Sequence, residues 1–112
     1  MIRVGDRVLR AVANVCRRVI REGDVLIRYG GEEFLVILPG AGLNDLREIG
    51  ERIRRAIGET AVIEGDQRIA VTVSAGGAVY QDAIGSPDAL IAAVDAALYE
   101  AKEGGRNRLV AA

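Results

Sequence analysis

The feature that most constrains the fold of this chain is a glycine pair, Gly30-Gly31, that separates two apolar runs. Residues 25–27 precede the pair and residues 34–38 follow it, and both runs contain β-branched side chains. Such runs around Gly-Gly predict a β-hairpin, because the tight turn needs positive φ, which glycine adopts without strain. The chain is therefore predicted to build a sheet around this hairpin.

Two carboxylates, Glu32 and Glu33, follow the turn directly. Successive residues of a strand point to opposite faces, so one carboxylate can face a ligand while the other orients it or reaches around the edge. Spacing alone leaves open the alternative that both acids are simply solvated at a turn.

The composition is that of a single soluble globular domain. The chain has 112 residues, 50% of them hydrophobic and 28% charged, and its net charge is −1. A nucleic-acid partner is not predicted, because the charge forms no broad basic field. No apolar run approaches the roughly 18 residues that span a membrane, and with no signal peptide the sequence predicts a cytoplasmic protein.

The chain has no histidine and a single cysteine, Cys16. Metal chemistry would therefore have to use carboxylates, which suit Mg²⁺. Cys16 lies among the apolar positions of a helical pattern, which predicts a buried core residue.

Apolar residues at helical spacing predict three helices. The first begins near Gly5-Asp6 and ends at Gly23, and the second has Asn44 as its cap and Gly58 as its stop. Ser86-Pro87 opens the third.

A second hairpin is predicted between the second and third helices. Its strands are residues 61–64 and one long strand, residues 68–80, around Gly65-Asp66. The small residues in 73–78 suggest that a helix packs closely on the long strand.

The stretch Arg28-Tyr29-Gly30-Gly31-Glu32-Glu33-Phe34 resembles the signature of the GGDEF domain of diguanylate cyclases. Residues 73–78 resemble the family's V-S-x-G-x-A strand, and residues 95–108 resemble its D-x-A-L-Y-x-A-K-x-x-G-R-N pattern. The resemblance implies an α+β fold with a mostly antiparallel central sheet flanked by helices, related to the palm of nucleotide cyclases and polymerases. Residues 1–112 would form one such domain, in part.

The reaction that this resemblance implies is the condensation of two GTP molecules to cyclic di-GMP and pyrophosphate, with Mg²⁺ or Mn²⁺. The 3′-hydroxyl of one GTP attacks the α-phosphate of the other, twice. Each domain would hold one GTP, so the implied active species is a homodimer. A full-length protein would also carry a sensory domain.

The resemblance also assigns roles to individual residues. Glu32 and Glu33 would be catalytic, with Glu32 as the metal ligand, although the sequence does not fix how they divide the work. The implied substrate-binding residues are Asp6 for guanine, Lys102 and Arg106 for the triphosphate, and Gly30 and Gly31. Read without the family, Asp6 is a helix N-cap, and Lys102 and Arg106 are the basic end of a helix with a glycine cap.

Arg21 and Asp24 match the family's R-x-x-D inhibitory site for cyclic di-GMP. Arginine can fork onto phosphate oxygens and stack on guanine, while aspartate can accept bonds from the guanine edge. Arg52, on the next helix, is the candidate for a third residue of this site. The alternative is a solvated pair or cap at a helix exit.

One segment of the family pattern is missing. The first strand and helix, which carry D-x-D-x-F-K-x-x-N-D in the family, do not precede Gly5-Asp6. This N-terminal truncation predicts an empty interior position in the sheet with exposed apolar surface, and no cyclase activity for the 112 residues alone. The alternatives are a non-catalytic module that binds cyclic di-GMP or GTP, and a scaffold without a ligand.

Overall fold

The computed structural model describes residues 2–3, 9–30 and 33–112. The elements follow in the order β1 (Ile2–Arg3), α1 (Leu9–Val19), β2 (Val25–Arg28), β3 (Glu33–Ile37), α2 (Leu43–Glu59), β4 (Ala61–Glu64), β5 (Gln67–Ala70), β6 (Ser74–Gly77), a short 3₁₀ helix (Asp82–Ile84), α3 (Pro87–Glu103) and β7 (Leu109–Ala111).

A five-stranded sheet with the order β2-β3-β1-β6-β7 forms the centre of the fold, and β4 and β5 form a separate two-stranded sheet. All neighbours in the central sheet are antiparallel except β6 and β7, which run parallel. The predicted α+β fold with a mostly antiparallel central sheet is therefore confirmed.

Among the residues that the structure describes, Ile2 and Arg3 hold the interior position of this sheet. Ile2 pairs with Phe34 on one side and Ala75 on the other, and Arg3 pairs with Glu33 and Ser74. The sequence predicts a vacant position, but a two-residue segment already satisfies backbone groups of both neighbours. An apolar cavity of about 70 Å³ lies beyond β1, lined by residues that include Leu35, Val36, Gly76 and Gly77.

Helices cover both faces of the central sheet. One face contributes Phe34 and Ala75 to a core shared with α1 and α2, whose buried members are Val12, Ala13, Val15, Cys16, Ile49, Ile53 and Ile57. The opposite face packs on α3 through Val94 and Leu98. Since successive strand residues point to opposite faces, each of the short strands β6 and β7 serves both layers.

Glycines in β6 allow the helices to approach closely. A Cβ on Gly76 would overlap the backbone nitrogen of Leu98 and lie 2.6 Å from the carbonyl oxygen of Val94. On the other face, a Cβ on Gly77 would lie 2.8 Å from Cδ1 of Leu46. The close helix approach predicted from the small residues is confirmed.

The long strand predicted over residues 68–80 is wrong. It is divided into β5, which pairs with β4, and β6, which joins the central sheet. Val71 and Val73 lie between them and pack on the core of α1 and α2, Val73 being 1% exposed. Apolar residues alternate along the whole of this stretch because alternation reports which side chains are buried. Such a pattern of buried side chains arises from one long strand and from two short ones alike.

Several helix ends differ from the predictions. The predicted start of α1 near Gly5-Asp6 lies outside the described residues, and α1 ends at Val19, before Gly23. For α2 the N-cap is Gly42, whose amide donates to Asp45 Oδ2 at 3.4 Å. The helix continues past the predicted stop at Gly58 to Glu59, and Thr60 is the C-cap, its hydroxyl donating to the Ala56 carbonyl at 2.6 Å.

The start of α3 is confirmed. Ser86 is the N-cap, its hydroxyl oxygen accepts the Ala89 amide at 3.1 Å, and Pro87 is the first helical residue. This agreement reflects a local signal, because the cap and the proline act on the first turn alone.

Cys16 is fully buried, as predicted, and burial raises the pKa of its thiol to about 11, from an ordinary value of 9.0. A raised thiol pKa in the folded state means that folding favours the neutral form. The contribution of the neutral thiol to the free energy of unfolding is therefore complete below about pH 9 and is lost as the pH rises toward 11.

We therefore expect the free energy of unfolding of the wild type to fall more steeply than that of Cys16→Ala between pH 9 and 11. Urea titrations at several pH values measure both slopes, and the variant's lower stability at neutral pH does not enter the comparison. Equal slopes for the two proteins would contradict the burial of the thiol.

In the part of the chain that the structure describes, no helix is long and apolar enough to cross a membrane.

Candidate functional site

The predicted hairpin is formed by β2 and β3, but its turn is wider than two residues. Arg28 and Phe34 form the last ladder pair, and the amides of Tyr29 and Gly30 both donate to the Glu33 carbonyl, at 2.9 and 3.4 Å. Gly30 does not adopt positive φ, so the expectation of a tight turn with left-handed backbone fails at this position.

Of the two predicted catalytic acids, the structure describes Glu33. It is half-buried at the first position of β3 and pairs with Arg3 of the interior strand. Asp6, Gly31 and Glu32 lie outside the described residues, so their assignments stay predictions.

The predicted triphosphate residues lie at the end of α3 and in the turn that follows it. The Gly104 amide donates to the Glu100 carbonyl at 2.8 Å, and the Arg106 amide donates to the Ala101 carbonyl at 3.0 Å. Gly105 has a φ of 117°, and the backbone then stays left-handed at Arg106 and Asn107, with φ of 63° and 44°. Left-handed backbone is uncommon for residues other than glycine, asparagine and aspartate, so the Arg106 conformation needs support from its surroundings.

Lys102 is half-buried and Arg106 is exposed. Among residues 2–3, 9–30 and 33–112, no hydrogen bond or ion pair occupies the Lys102 ammonium or the Arg106 guanidinium. The helix C-terminus favours cations, which accounts for Lys102 as a capping charge. Two cations without an acidic partner are in addition suited to bind an anion from solution.

The strand register places the hairpin turn and the turn after α3 at the same end of the central sheet. Glu33 lies opposite Arg3, and Arg3 lies opposite Ser74. Leu109 lies opposite Ala75, whose amide donates to the Arg108 carbonyl at 2.9 Å. Because β1 and β6 lie between β3 and β7, the two turns are about 14 Å apart across the sheet. They border the same rim of the sheet.

Arg21 and Asp24 are in close contact, a geometry that fits both the predicted inhibitory site and the alternative of an ion pair at a helix exit. The Arg21 guanidinium donates to both carboxylate oxygens of Asp24 at 3.1 Å, and the Arg21 amide donates to Oδ2 at 2.7 Å. Arg21 also donates to the Pro39 carbonyl at 3.3 Å. These bonds to Arg21 hold the pKa of the Asp24 carboxyl below its usual value, so Asp24 is ionised at neutral pH.

The third predicted inhibitory residue, Arg52, is not part of this cluster. Its guanidinium pairs with Glu48 at 2.8 Å, and both side chains are more than 60% exposed. Exposed pairs of this kind contribute little energy, so the pair does not prevent Arg52 from turning toward a ligand.

One contact between α2 and the turn after α3 was not predicted from the sequence. Arg54 of α2 donates to the side-chain oxygen of Asn107 at 3.1 Å, across 53 residues of sequence. Along the chain, Arg54 shows only its spacing to Glu51, which is typical of any helix surface pair. Since no local pattern reports a contact at this separation, the sequence offered no signal for it.

The residues present are chemically suited to a hard divalent cation, since the chain offers carboxylates and no histidine. Within the described ranges, however, no three acidic or cysteine side chains come together as a metal site. Glu32, the predicted metal ligand, lies outside the described residues.

The sequence matches the family described as Diguanylate cyclase, GGDEF domain, over residues 2–108. Diguanylate cyclase A of Treponema denticola is 37% identical over 105 residues, which is 94% of this chain and 28% of that protein.

Among solved structures, the diguanylate cyclase SiaD of Pseudomonas aeruginosa, in complex with its activator SiaC, matches with a TM-score of 0.88. Its identity is 37%, over 95% of this chain and 40% of that chain. The GGDEF domain of DgcB from Caulobacter crescentus, in complex with c-di-GMP, matches with a TM-score of 0.87 and 35% identity, over 94% of this chain and 63% of that chain. The chain therefore spans less than two thirds of each of these proteins.

Proposed function

Because the chain belongs to the GGDEF family of diguanylate cyclases, we propose that it is part of a catalytic domain that condenses two GTP molecules to cyclic di-GMP and pyrophosphate. The observation that carries the proposal is the common rim of the sheet. The signature turn borders it together with the end of α3 and the turn that follows, where Lys102 and Arg106 have no partner among the described residues. A nucleotide bound along this rim would reach Glu33 at one end and Lys102 and Arg106 at the other.

In this proposal the cationic side chains bind the substrate, and the carboxylates act where the phosphate and the hydroxyl react. Lys102 and Arg106 bind the triphosphate through charge-assisted hydrogen bonds. Asp6 accepts bonds from the guanine edge, while Gly30 and Gly31 let the substrate approach the backbone. The 3′-hydroxyl that attacks the α-phosphate comes from a GTP on a second copy of the domain, so the active species is a homodimer.

A divalent cation, Mg²⁺ or Mn²⁺, would be held by Glu32, with Glu33 beside it. When bound, it neutralises the charge that develops on the phosphate oxygens. Of Glu32 and Glu33, the carboxylate that does not bind the cation would orient the attacking hydroxyl.

The test is cyclic di-GMP formation from GTP and Mg²⁺ by the chain as given, beside a version extended by the first strand and helix of a related domain. We expect product from the extended version only, because the family's first strand supplies another metal-binding aspartate. Turnover by the short chain would refute the expected inactivity.

A second candidate function is supported by the Arg21–Asp24 cluster, which is assembled without a ligand. A non-catalytic module would bind cyclic di-GMP there but would form none from GTP, even in the extended version. If neither chain forms cyclic di-GMP from GTP and both still bind cyclic di-GMP, this candidate is favoured.

For either function we propose that cyclic di-GMP binds at Arg21 and Asp24, with Arg52 joining after it leaves Glu48. We expect Arg21→Ala to weaken cyclic di-GMP binding by at least about 100-fold, because a bidentate arginine contact to phosphate is lost. Arg52→Ala should weaken binding less, about tenfold, because that side chain is exposed and must reorient. Isothermal titration calorimetry measures both.

Arg55→Ala is the matched control for Arg52→Ala. Arg55 lies on the same helix and is 70% exposed, and it is not predicted to contact the ligand. Unchanged binding in an Arg21→Ala, Asp24→Ala double variant would rule the inhibitory site out.

A further inference from the structure

The turn after α3 holds Arg106 in a conformation that its own sequence does not favour. Arg106 and Asn107 follow Gly105, and all three have positive φ. Asparagine tolerates this region because its side chain can hydrogen-bond, but arginine does so rarely. Contacts from outside the turn must therefore help to select this conformation, and with it the direction of the Arg106 side chain.

Two contacts within the turn contribute. The Arg108 side chain donates to the Arg106 carbonyl at 3.0 Å. Its guanidinium also lies across the glycines, since a Cβ on Gly105 would approach Arg108 Nη2 to 2.6 Å. Both contacts belong to the same short segment, so they can move with it as a unit.

The contact from outside the turn comes from α2. Arg54 Nη1 donates to the side-chain oxygen of Asn107 at 3.1 Å. Arg54 is itself fixed by Glu51, which accepts from its Nε at 3.0 Å and from its Nη2 at 2.9 Å. A guanidinium held through two parallel bonds presents its remaining N–H groups in a defined direction. The side chains of Arg54 and Glu51 are 23% and 35% exposed, so the surrounding protein restricts them further.

We infer that Arg54 is a positioning residue for the phosphate-binding turn. Held by Glu51, it fixes Asn107 and thereby helps to keep the backbone of Arg106 in its left-handed conformation. The role in ligand binding rests on the proposed function, whereas the effect on the turn does not. Arg54 touches no substrate in this assignment, and it acts only through Asn107.

The first experiment measures the turn itself. In the ¹⁵N-labelled chain we expect amide order parameters near 0.85 for residues 105–107, as in rigid backbone, and a fall below about 0.6 in Arg54→Met. Arg54→Lys should restore the order only in part, because a lysine keeps the charge and loses the fork. Wild-type order in Arg54→Met would overturn the inference.

Two further variants serve as controls. Arg55→Met removes a neighbouring arginine whose Nε lies 3.8 Å from Oε2 of the same Glu51 and which makes no hydrogen bond or ion pair with residues 104–108, so the order should stay at the wild-type value. Asn107→Gly removes the acceptor of the Arg54 bond and also relieves the cost of positive φ, so it tests the link without threatening the fold. We expect Arg54→Met to lower the order of residues 105–106 no further in the Asn107→Gly background, and a further fall there would count against the link.

The second experiment measures the consequence for binding, with inorganic triphosphate and cyclic di-GMP as separate probes. We expect Arg54→Met to weaken triphosphate binding roughly tenfold, because the bound orientation of Arg106 must then be selected from a mobile turn. Cyclic di-GMP binding should be unchanged, which a general loss of structure would not allow.

The outcomes separate the two proposals. If the wild type binds no triphosphate, the proposed phosphate site fails, while the order parameters still decide the role of Arg54 in the turn. If the wild type binds and Arg54→Met binds equally well, the positioning role fails and the phosphate site stands.

Discussion

The Gly76→Ala variant is expected to lose about 3 kcal/mol of folding free energy or more, the upper range for an overpacked core. The added methyl group would overlap the Leu98 amide nitrogen and lie 2.7 Å from its Cα. These are backbone atoms of α3, so no side-chain rotation can relieve the overlap. Either the helix moves away from β6 or the strand moves out of the sheet, and both open the core around Val94 and Leu98.

Urea unfolding followed by circular dichroism measures this loss, and Gly58→Ala is its control. Gly58 lies in α2 with nothing within 4 Å of an added Cβ. That substitution should stabilise the protein by about 0.5 to 1 kcal/mol, because alanine is the better helix former. A Gly76→Ala variant as stable as the wild type would mean that α3 does not lie directly on β6.

The second large effect is expected at the signature acids. In the extended version, Glu32→Gln and Glu33→Gln should each lower the rate of cyclic di-GMP formation by about 1000-fold or more, as losses of charge stabilisation at a reacting phosphate do. Glutamine keeps the size and the hydrogen-bonding oxygen of glutamate, so the fold should survive. The charge that binds a cation or orients the attacking hydroxyl is removed.

Cyclic di-GMP binding provides the internal control for these variants, since the predicted site for it rests on Arg21 and Asp24, which bond to one another. Glu59→Gln, an exposed acid at the end of α2, should leave the rate unchanged. A Glu33→Gln variant with the wild-type rate would place the chemistry on Glu32 alone, and wild-type rates in both variants would contradict the proposed mechanism.

Elements specified by neighbouring residues could be predicted from the sequence. Ser86 and Pro87 start α3 because a cap and a proline act within one turn of the helix. The Arg21–Asp24 pair has the same origin, since three residues of chain keep the two side chains within reach. The small residues of β6 likewise reported a close neighbour, which is a property of the strand's own surface.

Where the determining contact is distant along the chain, the prediction failed or no prediction was made. The division of residues 67–77 between two sheets depends on which strands are available as partners, and the burial pattern of the segment is the same in either case. The start of α2, by contrast, was missed for a local reason: Asp45, three residues further along the chain, accepts a hydrogen bond from the Gly42 amide, so Gly42 and not Asn44 is the cap.

The sequence by itself determined the hairpin, the three helices, the family and the residue types of the candidate site, because each is encoded in short stretches whose spacing matches one backbone geometry. Only the tertiary structure decided that Ile2 and Arg3 take the interior of the sheet, that the signature turn and the turn after α3 share a rim, and that Arg54 bonds to Asn107. These are pairings between segments far apart in the chain. They follow from how the elements pack together, which no local run of residues specifies.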